Sequence, residues 1–112
     1  MNPLLKGLRP THPGELLRET ILPALDESKT AVAGALGVSR ETLYRILNEE
    51  RPVTPSVALR LGKALGNAPE FWLAMQARYD LAVGAERDAA ILAEVRVLEA
   101  ANDDRHEEAG AL

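Results

Sequence analysis

The stretch that decides the fold is residues 29–48, KTAVAGALGVSRETLYRILN. In its first part, Val32, Ala33 and Leu36 fall on one narrow apolar face of a helix. Gly37 follows directly, and a residue that tolerates positive φ is typical just past a helix end. The stretch therefore begins with a short helix that ends at a glycine turn.

A second helix is predicted after this turn, because Ser39 is a good N-cap. Its apolar residues share one side of the helix and are Leu43, Ile46 and Leu47. At about 100° per residue, a second set points largely away from that side: Glu41, Tyr44, Arg45 and Asn48. The second helix is therefore expected to bury one side and present the other to solvent.

Two short helices joined by a three- or four-residue turn with a glycine match the helix-turn-helix pattern. In that motif the N-terminal end of the second helix enters the DNA major groove. Any helical hairpin can carry glycine in its turn, but here the whole spacing fits: Ala33, Gly37, Val38, Leu43 and Ile46. The outer side adds side chains that read base edges or bind phosphate: Arg40, Thr42, Arg45 and Asn48. The pattern favours DNA binding.

Composition excludes several other classes of site. The chain of 112 residues is expected to be one domain with a modest core. It has no cysteine, and its histidines, His12 and His106, are too far apart in sequence for metal-ligand spacing. The sequence contains no long uncharged apolar run, so it predicts neither a membrane span nor a signal peptide. We therefore expect a cytoplasmic protein with no membrane partner, metal or cofactor.

The net charge of −4 is unevenly distributed along the chain. Residues 1–66 contain nine Lys and Arg against seven Asp and Glu, whereas residues 67–112 contain four against ten. DNA affinity depends on the charge that faces the phosphates rather than on the total. The basic groups accompany the predicted helix-turn-helix, so the acidic total does not oppose DNA binding.

More helices are predicted on both sides. After an irregular arm over residues 1–11, Thr11 or His12 caps a helix with Pro13 in its first turn. Its buried stripe comprises Leu16, Leu17, Thr20 and Ile21, and Pro23 is expected to stop it. The dipeptide Thr54–Pro55 starts a further helix, which Gly66 closes.

The C-terminal part predicts two final helices. Pro69 opens the first, and Gly84 is expected to break it. The second covers residues 85–101, with an apolar stripe of Ile91, Leu92, Val95 and Leu98. The polar, acidic residues 102–112 are expected to be frayed. The fold is thus predicted to be all-α, with about six helices around a core of Leu36, Val38, Leu43, Ile46, Leu61, Leu65 and Trp72.

The chain resembles the HigA-type antitoxins in four strings: HPGELLRE, GVSRETLYRILN, RPVTPSVALRLGKALG and PEFWLAMQARYDL. That family lies within the lambda-repressor-like helix-turn-helix proteins, and the likeness covers roughly residues 10–84. Departures are small: Ala68 replaces a usual Ser or Thr N-cap, and Gly34 replaces a longer polar residue. The resemblance implies a helix-turn-helix domain of about five helices, with its arm, over residues 1–84. Family members differ after Gly84, so the C-terminal helix over 85–101 is predicted from its apolar stripe alone.

The resemblance also implies a function. HigA-type antitoxins are homodimeric repressors that bind the palindromic operator of their own operon, a double-stranded DNA. They also neutralise a HigB-like toxin, an mRNA-cleaving ribonuclease, and have no catalytic activity. The residues agree with the last point, since they show no pattern of nucleophile, acid–base pair or phosphate loop. Two alternatives are a stand-alone regulator with no toxin partner and a helix-turn-helix fold used only for protein interaction.

Site residues follow from position in the motif. The base-contacting candidates are Arg40, Thr42, Tyr44 and Arg45. The phosphate candidates are Ser28, Lys29, Thr30, Ser39, Asn48, Arg51 and Thr54. Glu41 is expected to hold a neighbouring arginine in preference to accepting from a cytosine amino group. A carboxylate set could face a basic, RNA-cutting toxin: Glu15, Glu19, Asp26 and Glu27. For that set, a merely solvated helix face is an equal alternative.

Overall fold

The computed structural model describes residues 9–101, and regular structure within this range is entirely helical. Helix α1 consists of three consecutive segments, α-helical Pro13–Leu16, π-helical Leu17–Ile21 and α-helical Leu22–Ala24. The remaining helices are α2 (Lys29–Leu36), α3 (Arg40–Leu47), α4 (Pro55–Leu65), α5 (Pro69–Arg87) and α6 (Ala89–Glu94). The all-α prediction with about six helices is confirmed. Residues 1–8 of the predicted arm and the whole acidic tail, residues 102–112, lie outside the described residues.

The helix–turn–helix unit is formed by α2 and α3. Gly37 ends α2 with φ of 72°, in the left-handed region that favours glycine. Side-chain hydroxyls cap both helices: Ser28 accepts from the N–H of Ala31, and Ser39 accepts from the N–H of Thr42. The Ser39 cap and the glycine turn lie where the sequence predicts them.

The core is a single cluster that α1, α2, α3, α4 and α5 share with the α3–α4 loop. Its buried apolar members are Leu17, Ala33, Leu36, Leu43, Ile46, Leu47, Val53, Ala58, Leu61 and Trp72. Val38 and Leu65 are only partly buried and pack against this cluster. All seven predicted core residues therefore belong to this cluster or pack against it, and five further residues are buried in it: Leu17, Ala33, Leu47, Val53 and Ala58.

Helix α1 differs from the prediction in its buried face and its end. Leu17 is buried as the stripe predicts, and Leu16 and Ile21 are partly buried, but Thr20 is exposed. The cause is the π-helical segment, in which the N–H of Leu22 bonds to the carbonyl of Leu17 and widens the turn. Pro23 does not stop the helix, because it lies inside a last short segment that ends at Ala24.

The predicted division of the C-terminal helices is wrong in its bounds. Gly84 lies inside α5, which continues to Arg87, and α6 ends at Glu94. One glycine in a long helix costs only about 1 kcal/mol, which the rest of α5 can offset. Residues 95–100 are not helical, and every residue from 89 to 101 is exposed. The apolar stripe fails to extend the helix because this part of the chain gives it no surface to pack on.

None of the helices described between residues 9 and 101 has the length and apolar character needed to cross a membrane.

Helix α1 begins in direct backbone contact with the end of α3. A Cβ atom built on Gly14 would overlap the carbonyl oxygen of Ile46. Only a glycine permits this approach, because any larger residue must displace the backbone of α3. Gly34 contrasts with it, since a Cβ atom there would meet no other atom within 4 Å.

These two glycines give a matched pair of substitutions. Gly14→Ala should lower the free energy of unfolding by about 2 kcal/mol or more, because the methyl group overpacks against a carbonyl. Gly34→Ala should raise it by about 0.5–1 kcal/mol, because alanine loses less conformational freedom in a helix. Urea denaturation of both variants and the parent measures the difference. Equal stability of Gly14→Ala and the parent would show that α1 does not approach α3 this closely.

Candidate nucleic-acid interface

Helix α3 has one buried and one solvent-facing side. Leu43, Ile46 and Leu47 are each no more than 2% exposed. The other side carries Arg40, Glu41, Tyr44 and Arg45, all exposed, and the partly buried Thr42. The structure therefore brings the four base-contacting candidates together on the outer side of one helix, together with Glu41.

Glu41 and Arg45 form an ion pair one helical turn apart. Glu41 Oε1 lies 2.8 Å from Arg45 Nη2, and both side chains are more than half exposed. An exposed pair of this kind contributes little to folding stability. Its effect is to orient the Arg45 guanidinium along the outer side of α3.

The first turn of α3 is held by a small hydroxyl network. Ser39 Oγ donates to Thr42 Oγ1 at 2.9 Å. Arg51 Nη1 donates to the same Thr42 oxygen at 3.3 Å. Arg51 follows α3 in the chain, so the loop after the helix brings this cation back to the N-terminal end of α3. Hydrogen bonds therefore connect Thr42, a base candidate, to the phosphate candidates Ser39 and Arg51.

A second cation lies beside α3 from the start of α2. Lys29 Nζ is 5.5 Å from the centre of the Tyr44 ring, within the range of a cation–π interaction. Thr30 beside it is also exposed. The N-terminal turn of α2 and the middle of α3 therefore present one mixed surface of cations, hydroxyls and an aromatic ring.

The remaining phosphate candidates lie at helix ends. Ser28 and Thr54 cap α2 and α4 by accepting from backbone N–H groups. A hydroxyl that accepts in this way retains its own hydrogen for a phosphate oxygen. Asn48 is the exposed residue at the C-terminal end of α3, furthest along the helix from Arg40.

His12 is a buried structural residue at the base of α1. Its Nδ1 accepts from the N–H of Gly14 at 2.8 Å, and its ring meets the edge of Tyr79 with centroids 4.9 Å apart. Burial lowers the pKa of His12 below its usual value, against the opposing charges of Glu49 and Asp80. At neutral pH the ring is therefore neutral and can act as the N-cap acceptor.

Sequence reasoning missed the polar side chains that hold the backbone around α2 and α3. Arg60 Nη1 donates to the carbonyls of Leu36 and Gly37 at 3.0 and 3.2 Å. Arg18 Nη1 donates to the carbonyl of Leu47 at 2.6 Å. Backbone acceptors leave no mark in the sequence, so residue types and spacing could not reveal these contacts.

The acidic candidates for a protein partner are all exposed. Glu15 and Glu19 lie on α1, and Asp26 and Glu27 lie on the connection from α1 to α2. Glu19 Oε1 is 3.4 Å from Arg18 Nε. Glu27 also lines a mostly apolar cavity of about 270 Å³ between α1, α2 and α4, with Leu22 and Leu25.

The matching family model is described as "Helix-turn-helix" and covers residues 25–73. Antitoxin HigA-1 of Vibrio cholerae is 41% identical over 73 residues, which are 65% of this chain and 69% of that protein.

Solved structures of antitoxins are similar to this chain over most of its length. Antitoxin GraA in complex with its operator is 41% identical with a TM-score of 0.76, covering 84% of this chain and 96% of that one. The Pseudomonas aeruginosa antitoxin HigA with the higBA promoter is 36% identical with a TM-score of 0.75, covering 81% of this chain and all of that one. Both of these antitoxins were solved with DNA.

Proposed function

The chain belongs to the HigA-type antitoxin family of helix-turn-helix proteins, and on that premise we propose that it represses its own operon and neutralises a toxin. As a homodimer it binds a palindromic operator, a double-stranded DNA, through α3. A separate surface binds a HigB-like, mRNA-cleaving toxin.

The observation that carries the DNA proposal is the outer side of α3. Arg40, Tyr44 and Arg45 are exposed there, while the opposite side of the same helix is buried in the core. An arginine donates two parallel hydrogen bonds to O6 and N7 of guanine, the commonest specific contact in the major groove. Arg45, already aligned along the helix by Glu41, is proposed to make this contact.

Thr42 has a different proposed role at the bases. Its hydroxyl oxygen already accepts from Ser39 and Arg51. Its methyl group is then the part suited to contact a thymine methyl. Arg51 itself, together with the capping hydroxyl of Ser28, is proposed to bind phosphate around α3. Ser39 is proposed to do so by exchanging its bond to Thr42 for one to a phosphate oxygen.

Dimerisation is proposed because one α3 helix spans too few base pairs for useful specificity. A two-fold dimer places two α3 helices on half-sites about one DNA turn apart, or a multiple of it. The exposed apolar residues of the C-terminal part offer a surface for the second copy: Leu81, Ile91, Leu92, Val95 and Leu98. Large exposed apolar side chains in one region support an interface there.

Toxin binding is proposed to use the acidic surface of α1 and the α1–α2 connection. A protein that cleaves RNA must attract phosphates and is therefore expected to be basic. Four exposed carboxylates, those of Glu15, Glu19, Asp26 and Glu27, suit such a partner. The apolar cavity beside Glu27 adds a place for an apolar side chain of that partner.

Substitution of Arg45 and Lys29 separates base reading from phosphate binding. Arg45→Ala should weaken operator binding by roughly 1–3 kcal/mol per half-site and relax the preference at one base position. Lys29→Ala should weaken binding to all DNA sequences alike and make the salt dependence shallower by about one unit per lost contact. The measurement is operator binding across a salt series, with each base pair of one half-site substituted in turn.

Arg78→Ala, an exposed arginine of α5, controls for the general loss of positive charge. If Arg45→Ala weakens every operator variant equally and shifts the salt slope, Arg45 binds phosphate, and specificity comes from other residues of α3.

Charge reversal tests the toxin surface. Glu15→Lys combined with Glu19→Lys should raise the dissociation constant of the toxin complex and slow its association, because a basic partner is then repelled. Glu70→Lys combined with Glu94→Lys makes the same change of charge at two exposed sites on α5 and α6. Surface plasmon resonance at low salt measures both rates. An unaltered dissociation constant for the α1 variant would exclude this surface.

A further inference from the structure

We propose that Arg18 is a positioning residue for DNA recognition, acting through the end of α3 and the turn that follows it. Arg18 lies on α1, outside the predicted DNA-binding set, and its side chain is about one-third exposed. The proposal rests on the proposed operator binding and adds to it a residue that does not itself contact DNA.

The first observation is the set of partners for the carbonyls that end α3. A helix leaves its last four carbonyl groups without partners inside the helix. In α3 the chain's own N–H groups bond to three of them: Asn48 to Tyr44, Glu50 to Arg45, and Glu49 to Ile46. The guanidinium of Arg18 bonds to the fourth, the carbonyl of Leu47, at 2.6 Å.

The second observation is the conformation of the turn. Glu49 has φ of 62°, an uncommon value for a residue other than glycine. Its carboxylate Oε2 lies 3.3 Å from the same Nη1 atom of Arg18 that bonds to Leu47. Arg18 therefore contacts both the last residue of α3 and the residue on which the turn reverses.

The third observation connects this turn to the DNA-facing side. Two residues after Glu49, the side chain of Arg51 reaches Thr42 in the first turn of α3. The N–H of Arg51 also bonds to the carbonyl of Arg45, at 3.3 Å. A change in the turn at Glu49 would therefore move Arg51, which is a phosphate candidate. It would also weaken the hydrogen bond to the carbonyl of Arg45, which is a base candidate.

An arginine suits this position better than a lysine. Its Nη1 is used at Leu47 and Glu49, while its Nε lies 3.4 Å from Glu19. A planar guanidinium presents these donors in a fixed geometry, whereas the ammonium of lysine is a single point charge. We therefore expect Arg18→Lys to keep the bond to Leu47 and to restore function in part.

The test compares Arg18→Met with Arg18→Lys, and uses Arg87→Met as the matched control. Arg87 is also an arginine paired with a carboxylate, but it pairs with its neighbour Asp88. Circular dichroism sets a temperature at which all variants are folded. Binding to the operator and to unrelated DNA of equal length is then measured across a salt series.

Arg18→Met should reduce the preference for operator over unrelated DNA by roughly three- to tenfold, with an unchanged salt slope. Arg18→Lys should lie between this variant and the parent, and Arg87→Met should match the parent. Full operator preference in folded Arg18→Met would overturn the proposal. A salt slope shallower by about one unit, with equal loss on all DNA, would also overturn it, because Arg18 would then bind phosphate directly.

Hydrogen exchange gives a readout that needs no DNA. In Arg18→Met the amides of Glu49, Glu50 and Arg51 should exchange faster than in the parent, while amides within α5 should not change. Unchanged exchange at these three amides would overturn the proposal. If Arg18→Met does not fold, Glu49→Gln removes the charge pair but leaves the bond to Leu47, so it should lose part of the preference; an operator preference equal to that of the parent would then overturn the role of the Glu49 contact. The parent protein distinguishes failure of the proposed function from failure of the Arg18 proposal. If the parent shows no preference for the operator, the proposed function fails. Hydrogen exchange then decides by itself whether Arg18 holds the turn after α3.

Discussion

Burial of Leu43, Ile46 and Leu47 is the interaction on which the other features of the molecule depend. Each side chain is almost fully removed from solvent, which contributes about 1.5–3 kcal/mol per residue. Exposed ion pairs such as Glu41–Arg45 contribute at most about 1 kcal/mol. The core therefore decides how α3 is rotated about its axis. The outer side chains are left with only one direction, towards solvent.

Rotation alone does not fix where α3 lies along its own axis or how it continues into the loop. Those positions depend on backbone contacts made by neighbouring helices. Gly14 lets α1 pack against the carbonyl of Ile46, and Arg18 bonds to the carbonyl of Leu47. Arg60 does the same for the end of α2. An interface that reads base edges needs its helix placed within a fraction of an ångström, and these contacts supply that constraint.

The sequence predicts the α2–α3 unit well because its signals are local. Ser39 caps, Gly37 turns, and the 3.6-residue period identifies the buried side without reference to any other part of the chain. The role of Arg18 could not be predicted, since its acceptor is a backbone carbonyl 29 residues away. The C-terminal bounds failed for another reason. An apolar stripe indicates a helix only if a surface exists to bury it, and Gly84 alone does not break a long helix.

The outer side of α3 is proposed to read a two-fold DNA site. A hydroxyl-radical footprint of the protein on the DNA upstream of its own gene tests it most directly. We expect two protected patches whose centres lie about 10 base pairs apart or at a multiple of this distance. Methylation of guanine N7 within either patch before mixing should block binding, because it removes an acceptor in the major groove. Protection that is uniform along the DNA and insensitive to guanine methylation would contradict the claim.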